Sequence, residues 1–140
     1  MPLTAPRAVA VITVTRYYAA FNAENPAGML AELSDDVAHD INQGERQIGR
    51  AAFAAFLQHM QRCYRERLRE LTIMGHADGR RAAAEFIVDG TYLATDEGLP
   101  PARGQCYSLP AGAFFMLDEA GKICRVSMHY NLRDWLAQVT

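Results

Sequence analysis

A chain of 140 residues, half of them hydrophobic and 21% charged, is long enough to bury one core without disulfide or metal staples. Its formal net charge of -2 excludes a sequence-independent electrostatic hold on nucleic acid or on an anionic membrane surface. Cys63, Cys106 and Cys124 form no C-x-x-C pair, and an odd, scattered set of thiols fits reduced cysteines in a cytoplasmic protein.

Residues 1–10 carry one arginine and no apolar run long enough for a signal peptide or a membrane span. Thr4-Ala5-Pro6 reads as a helix start, because proline is tolerated in a first turn where its missing N–H has no partner to lose. Residues 9–15 have strand propensity, yet the stripe Ala10, Val14, Tyr17, Phe21 steps by four, three and four and predicts a helix to Asn22. Asn25 then caps a short second helix reaching Leu33. A strand is expected over 37–42 and a polar loop over 43–48. Gly49 opens a third helix with the stripe Phe53, Phe56, Leu57, Met60, Tyr64.

Beyond Tyr64 the hydrophobic period shortens to two. Residues 67–76 alternate around Leu71 and Ile73, and Asp78-Gly79 marks a hairpin turn. A long strand over 81–95 follows, with a break at Gly90, and the prolines and glycines of 95–104 make a loop. Residues 105–117 form the next strand, bulged at Pro110 and Gly112, and 122–131 the last. Asn131 caps a final helical turn holding Trp135. Helices and strands that cluster rather than alternate predict a single α+β domain, a cone in which a curved antiparallel sheet packs against N-terminal helices. The open mouth of such a cone is a natural ligand pocket.

This succession, with Arg16-Tyr17-Tyr18-Ala19-Ala20-Phe21-Asn22-Ala23-Glu24-Asn25 in the first helix and Asp35-Asp36 before the first strand, resembles the NTF2-like superfamily. Within it the chain is most similar to the ketosteroid isomerase-related and SnoaL-like proteins. In the steroid isomerases a tyrosine of the first helix and an aspartic acid of the fourth strand hold the substrate oxyanion. A carboxylate at the end of the first strand shuttles the proton. The resemblance places Tyr17 on the tyrosine, but Ile41 and Ala113 on the two carboxylates; a one-residue slip would bring Asp40 to the shuttle position.

Tyr17 shares its stripe with Val14 and Phe21 and so points inward, where a phenol needs a partner: a ligand oxygen or a backbone carbonyl. Strand alternation puts His39 on the cavity side with Val37 and Ile41, as a general base in place of a carboxylate or as a packed histidine, and turns Asp40 away. The same alternation expects Phe86, Val88, Ala113, Phe115, Met128 and Tyr130 in an apolar pocket, joined by Phe21, Phe56 and Met60 from the helices. Glu85 and Asp89 would lie on the outer face with Phe114 and Met116, where His129 could pair with them and a second copy of the chain could bind. Glu66 and Glu70, interleaved with Arg62, Arg65, Arg67 and Arg69, read as a solvated helix end and strand edge. Residues 95–104 read as a solvated connection, a lid or a partner contact. His39, His59, His76 and His129 show no ligand spacing and no cysteine company, so no metal site is expected. The function these features imply is cofactor-free proton transfer on a hydrophobic, steroid- or polyketide-like carbonyl compound. The alternatives are a non-catalytic small-molecule-binding protein and a dimeric interaction module.

Overall fold

The computed structural model describes residues 6–140, so the helix start placed at Thr4 and Ala5 lies outside the described residues. Helix α1, Pro6–Asn22, runs through the valine-rich stretch. Packing decides against a strand there: Ala10, Val14, Tyr17 and Tyr18 fall at helical spacing and are all buried, whereas Val9 and Ile12 face outward. Asn25 Oδ1 accepts from the Gly28 N–H at 3.0 Å and caps α2, Pro26–Leu30. The second helix therefore stops short of Leu33, which instead opens β1, Leu33–Asp40. Part of the expected polar loop becomes a short edge strand, β2, Arg46–Ile48. Gly49, at φ 105, makes the turn into α3, Arg50–Cys63, in a backbone region that side chains disfavour.

The remaining strands are β3, Tyr64–Gly75; β4, Arg81–Tyr92; β5, Cys106–Leu117; and β6, Ile123–Tyr130, with α4, Leu132–Val139, closing the chain. Asn131 caps α4 by accepting from the Asp134 N–H at 3.2 Å. The six strands form one curved sheet in the order β2-β1-β6-β5-β4-β3. Neighbours from β3 to β6 are antiparallel, as hairpin succession requires, but β1 lies parallel to β6. The curved sheet is thus antiparallel, as expected, in every pairing but this one. A parallel pair needs a long crossover, and here the crossover is everything from β2 to β5.

Irregularities fall elsewhere than the sequence suggests. β4 continues unbroken through Gly90, which pairs with Glu66 on β3 and Tyr107 on β5. Pairing of β5 with β4 is likewise regular through Pro110 and Gly112. Register shifts instead on β3 between Arg69 and Thr72, where Glu70 adopts φ 53, and between β5 and β6 at Met116 and Leu117. Such bulges bend strands and deepen the concave face.

Helix α1 crosses that face. Tyr17 meets Phe115 edge-on at 5.7 Å, and Tyr18 meets Phe86 at 5.2 Å and Phe115 at 5.7 Å. A second aromatic group gathers under α4, where Tyr64 stacks on Tyr92 at 5.3 Å and Trp135 meets Tyr92 edge-on at 5.2 Å. At its C-terminal end α1 is clamped by Asn22, whose Nδ2 donates to the Leu68 carbonyl at 3.0 Å while Oδ1 accepts from the Leu68 N–H at 2.8 Å. On the opposite, convex face Phe114 is 52% exposed. Asp89 accepts from Arg69 at 2.6 Å and from Ser108 at 2.8 Å, and His129 Nε2 lies 3.0 Å from the Ser127 hydroxyl. The pairing of His129 with Glu85 and Asp89 expected from strand alternation is therefore replaced by these nearer partners. Among the described residues no helix is long and apolar enough to cross a membrane.

Asn22→Ala removes both bonds of the clamp and leaves the Leu68 peptide groups unpaired in a partly buried setting. The expected loss is about 2 kcal/mol of unfolding free energy, measured by urea denaturation; wild-type stability in this variant would show that the clamp is dispensable.

Candidate active site

A cavity of about 300 Å3 opens between the concave face of the sheet and the helices. Tyr17 and Phe21 of α1, Phe56 and Met60 of α3, and Phe86 and Val88 of β4 stand on its wall. Met128 and Tyr130 of β6 and His39 of β1 do so as well. Ala113 and Phe115 do not: each is 1% exposed, and the Phe115 ring lies against the rings of Tyr17 and Tyr18, in the packed layer behind the cavity. Asp40 is also corrected. Its carboxylate takes two bonds from Arg46, at 2.5 and 3.0 Å, which hold its pKa below the usual carboxylate range, and it does not line the cavity. The next residue, Ile41, does line it, so β1 keeps the unslipped register.

The inner end of the cavity is dry and aromatic. His39, 4% exposed, stacks on Phe53 at 4.3 Å and meets the edge of Phe56 at 4.7 Å. Burial pushes its pKa down to about 4, against the opposing charge of Asp40, so the ring is neutral near pH 7. Its Nδ1 is buried and has no hydrogen-bond partner among the described residues. Tyr17 and Tyr130 have phenols raised above their ordinary pKa by burial, and both remain protonated donors.

The rim is polar, and most of it is absent from the sequence reading. Arg62 donates to His59 Nδ1 at 3.0 Å, so His59 carries its proton on Nε2 and donates to Asp96 Oδ1 at 2.9 Å. Tyr64 donates to Asp96 Oδ2 at 2.7 Å. Cys63, one helical turn from His59, brings its sulfur 4.0 Å from His59 Nε2. Histidine, cysteine and aspartate donor atoms thus gather within 4.8 Å, a company that spacing along the chain does not announce. In the structure the His59 Nε2 proton is directed at Asp96, so these side chains stand as a hydrogen-bonded set.

Asp96 belongs to the connection over 95–104, which is tied down rather than loosely solvated. Tyr92 donates to the Pro100 carbonyl at 2.7 Å and accepts from the Asp96 N–H at 2.9 Å, while Thr95 Oγ1 accepts from the Ala102 N–H at 2.9 Å. Asp96 and Leu99 are thereby turned into the cavity wall. Glu66, half-buried on β3, completes the rim, and its Oε2 accepts from the Tyr107 hydroxyl. Desolvation raises the Glu66 pKa, and the Tyr107 bond opposes that rise.

The model of the SnoaL-like domain family matches residues 14–126. Among solved structures, a candidate polyketide cyclase from Pseudomonas putida is 62% identical, with a TM-score of 0.92 over 94% of this chain and 98% of its own. A second candidate polyketide cyclase, from Xanthomonas campestris, is 52% identical, with a TM-score of 0.93 over 96% of this chain and 99% of its own. An epoxide hydrolase from Mycobacterium tuberculosis, 18% identical with a TM-score of 0.68, covers 94% of this chain and 89% of its own and shares the fold alone. Among curated proteins none matches. The chain belongs to the SnoaL-like family and carries its domain on the NTF2-like fold.

Proposed function

We propose that this chain is an enzyme that moves a proton on a hydrophobic carbonyl compound, polyketide-like or steroid-like, without a cofactor. The observation that carries this reading is an apolar cavity whose wall holds His39 Nδ1, buried with no partner among the described residues, together with the protonated phenols of Tyr17 and Tyr130. Removing a proton from a carbon beside a carbonyl leaves negative charge on oxygen, and a buried phenol that stays protonated can donate to that oxygen in a site where water does not compete. Tyr17 is the donor. His39, neutral and far too weak a base at neutral pH to match the task, serves as a hydrogen-bond partner for a substrate oxygen. Asp40 has no part in the chemistry, since it is held by Arg46 outside the cavity. Similarity to candidate polyketide cyclases supports a polyketide-like substrate, because such chains bear carbonyls flanking acidic carbons and close rings through the same enolates.

A homodimer through the convex sheet face is part of the proposal, supported by the exposed Phe114 ring on that face. Light scattering is expected to read twice the 15.5 kDa chain mass; the mass of a single chain would remove the dimer.

Solvent deuterium incorporation into a panel of cyclic ketones that includes β-tetralone, followed by mass spectrometry, tests the reaction class. Wild type should exchange above the buffer rate, and Tyr17→Phe should slow exchange by about two to three powers of ten, as loss of an oxyanion donor does. Full activity in that variant would exclude the oxyanion role.

His39 gives a stability signature independent of any substrate. Its folded pKa, about 4, lies below the ordinary 6.5, so between those values the unfolded chain binds more protons. Its contribution is complete above pH 6.5 and is lost as pH falls toward 4, to a total of about 3 kcal/mol. Urea denaturation across that window should show the loss in wild type and a flatter profile in His39→Phe; identical profiles would contradict a buried neutral imidazole.

A further inference from the structure

We propose that Glu66 is the proton-transferring carboxylate of this cavity, held in place by Tyr107 across a strand that Gly90 leaves open. This rests on the reading of the cavity as a site of proton transfer to and from carbon.

Two carboxylates stand on the cavity wall, Glu66 and Asp96. Both oxygens of Asp96 are committed, Oδ1 to His59 and Oδ2 to Tyr64. Glu66 has only Oε2 engaged, by Tyr107, and Oε1 has no partner among the described residues. One fixed oxygen and one free oxygen is the arrangement a positioned base requires, because the bond sets the orientation and the free lone pair meets the proton.

The positioning device spans three strands. Glu66 on β3 pairs with Gly90 on β4, and Gly90 pairs with Tyr107 on β5, so the three residues form one row across the sheet. The phenol of Tyr107 reaches Glu66 by lying over Gly90. A Cβ at Gly90 would sit 2.2 Å from Tyr107 Cζ and 2.4 Å from its hydroxyl oxygen, so any side chain there displaces the ring that holds the carboxylate. The phenol favours the ionised carboxylate and so opposes a burial that favours the neutral acid and raises the pKa.

Glu66 borders two outer clefts as well as the cavity. Its charged neighbours there are Glu24 just beyond α1, Arg65 and Arg67 on its own strand, and Asp89 on β4. Asp96 and the phenol of Tyr130 line the same cavity. In the step itself Glu66 takes a proton from a carbon beside the carbonyl. The C–H electron pair becomes the enolate, whose oxygen accepts from Tyr17, and the carboxylic acid then returns the proton to the same carbon or to one conjugated with it. The outer clefts allow that proton to exchange with solvent. No oxidant or reductant enters.

The test follows deuterium incorporation into β-tetralone by wild type, Glu66→Gln and Tyr107→Phe, with binding read from Trp135 fluorescence, since that residue lines the cavity. Glutamine keeps an acceptor for Tyr107 and the shape of the side chain but cannot take the proton. The expected result is a fall of at least about 100-fold in exchange with binding unchanged. Tyr107→Phe removes the bond that favours the carboxylate, so the midpoint of exchange against pH should move upward. Exchange at the wild-type rate in Glu66→Gln would overturn the role of Glu66 while leaving the proton-transfer reading intact. A midpoint unmoved in Tyr107→Phe would overturn the positioning by Tyr107. Absence of wild-type exchange above buffer would overturn the reading of the cavity and this proposal with it.

Discussion

The fixing of α1 across the concave face is the constraint on which the rest depends. Asn22 clamps one end to the backbone of Leu68, and along the length the rings of Tyr17 and Tyr18 meet Phe86 and Phe115 edge-on. Each such aromatic contact adds about 0.5 to 1.5 kcal/mol beyond area burial, so this small set holds the helix in one place rather than letting it slide. Where the α1 rings reach the sheet the concavity is filled, which is why Ala113 and Phe115 are sealed from the cavity. Toward α3 the facing side chains stand apart, and that gap is the cavity.

Desolvation then sets the chemistry of the gap by acting in opposite directions on groups of opposite charge. It lowers His39 and raises Glu66, Tyr17 and Tyr130, in every case toward the neutral form. An interior of this kind favours uncharged groups, and among the described residues no lysine or arginine lines it. At the rim Asp96 accepts from both His59 and Tyr64, whereas Glu66 accepts from Tyr107 alone. In the proposed mechanism that difference of a single hydrogen bond is what leaves Glu66, and not Asp96, an oxygen to meet a proton.

Much of the fold was legible because its signals are periodic. The stripe from Ala10 to Phe21 gave α1 despite its valines, the stripe from Phe53 to Met60 gave α3, and Asn25 and Asn131 sit where capping side chains belong. Strand alternation also oriented β1 correctly, with His39 inward and Asp40 outward. Illegible were features set by pairing across the sheet. Nothing local in 43–48 announces β2, nor does any run of residues say that β1 will lie parallel to β6. Gly90 looks like a break because glycine weakens strands in general, whereas its missing side chain is a clearance for a ring that reaches Glu66 from two strands away.

Glu66 illustrates the deeper limit of residue-by-residue reading. Surrounded by Arg65 and Arg67 and followed by the alternation of Leu71 and Ile73, it sits on the face that the later residues turn to solvent if one phase runs the length of the strand. The strand in fact begins at Tyr64 with Tyr64, Glu66 and Leu68 inward, and the bulge at Glu70 moves the inward set to Leu71 and Ile73. One extra residue in a strand inverts the facing of everything on its far side. The same substitution pattern without the bulge would place an arginine pair on the cavity wall and the glutamate in water. The presence of a carboxylate on this cavity wall is therefore decided by backbone register at Glu70, four residues away from Glu66.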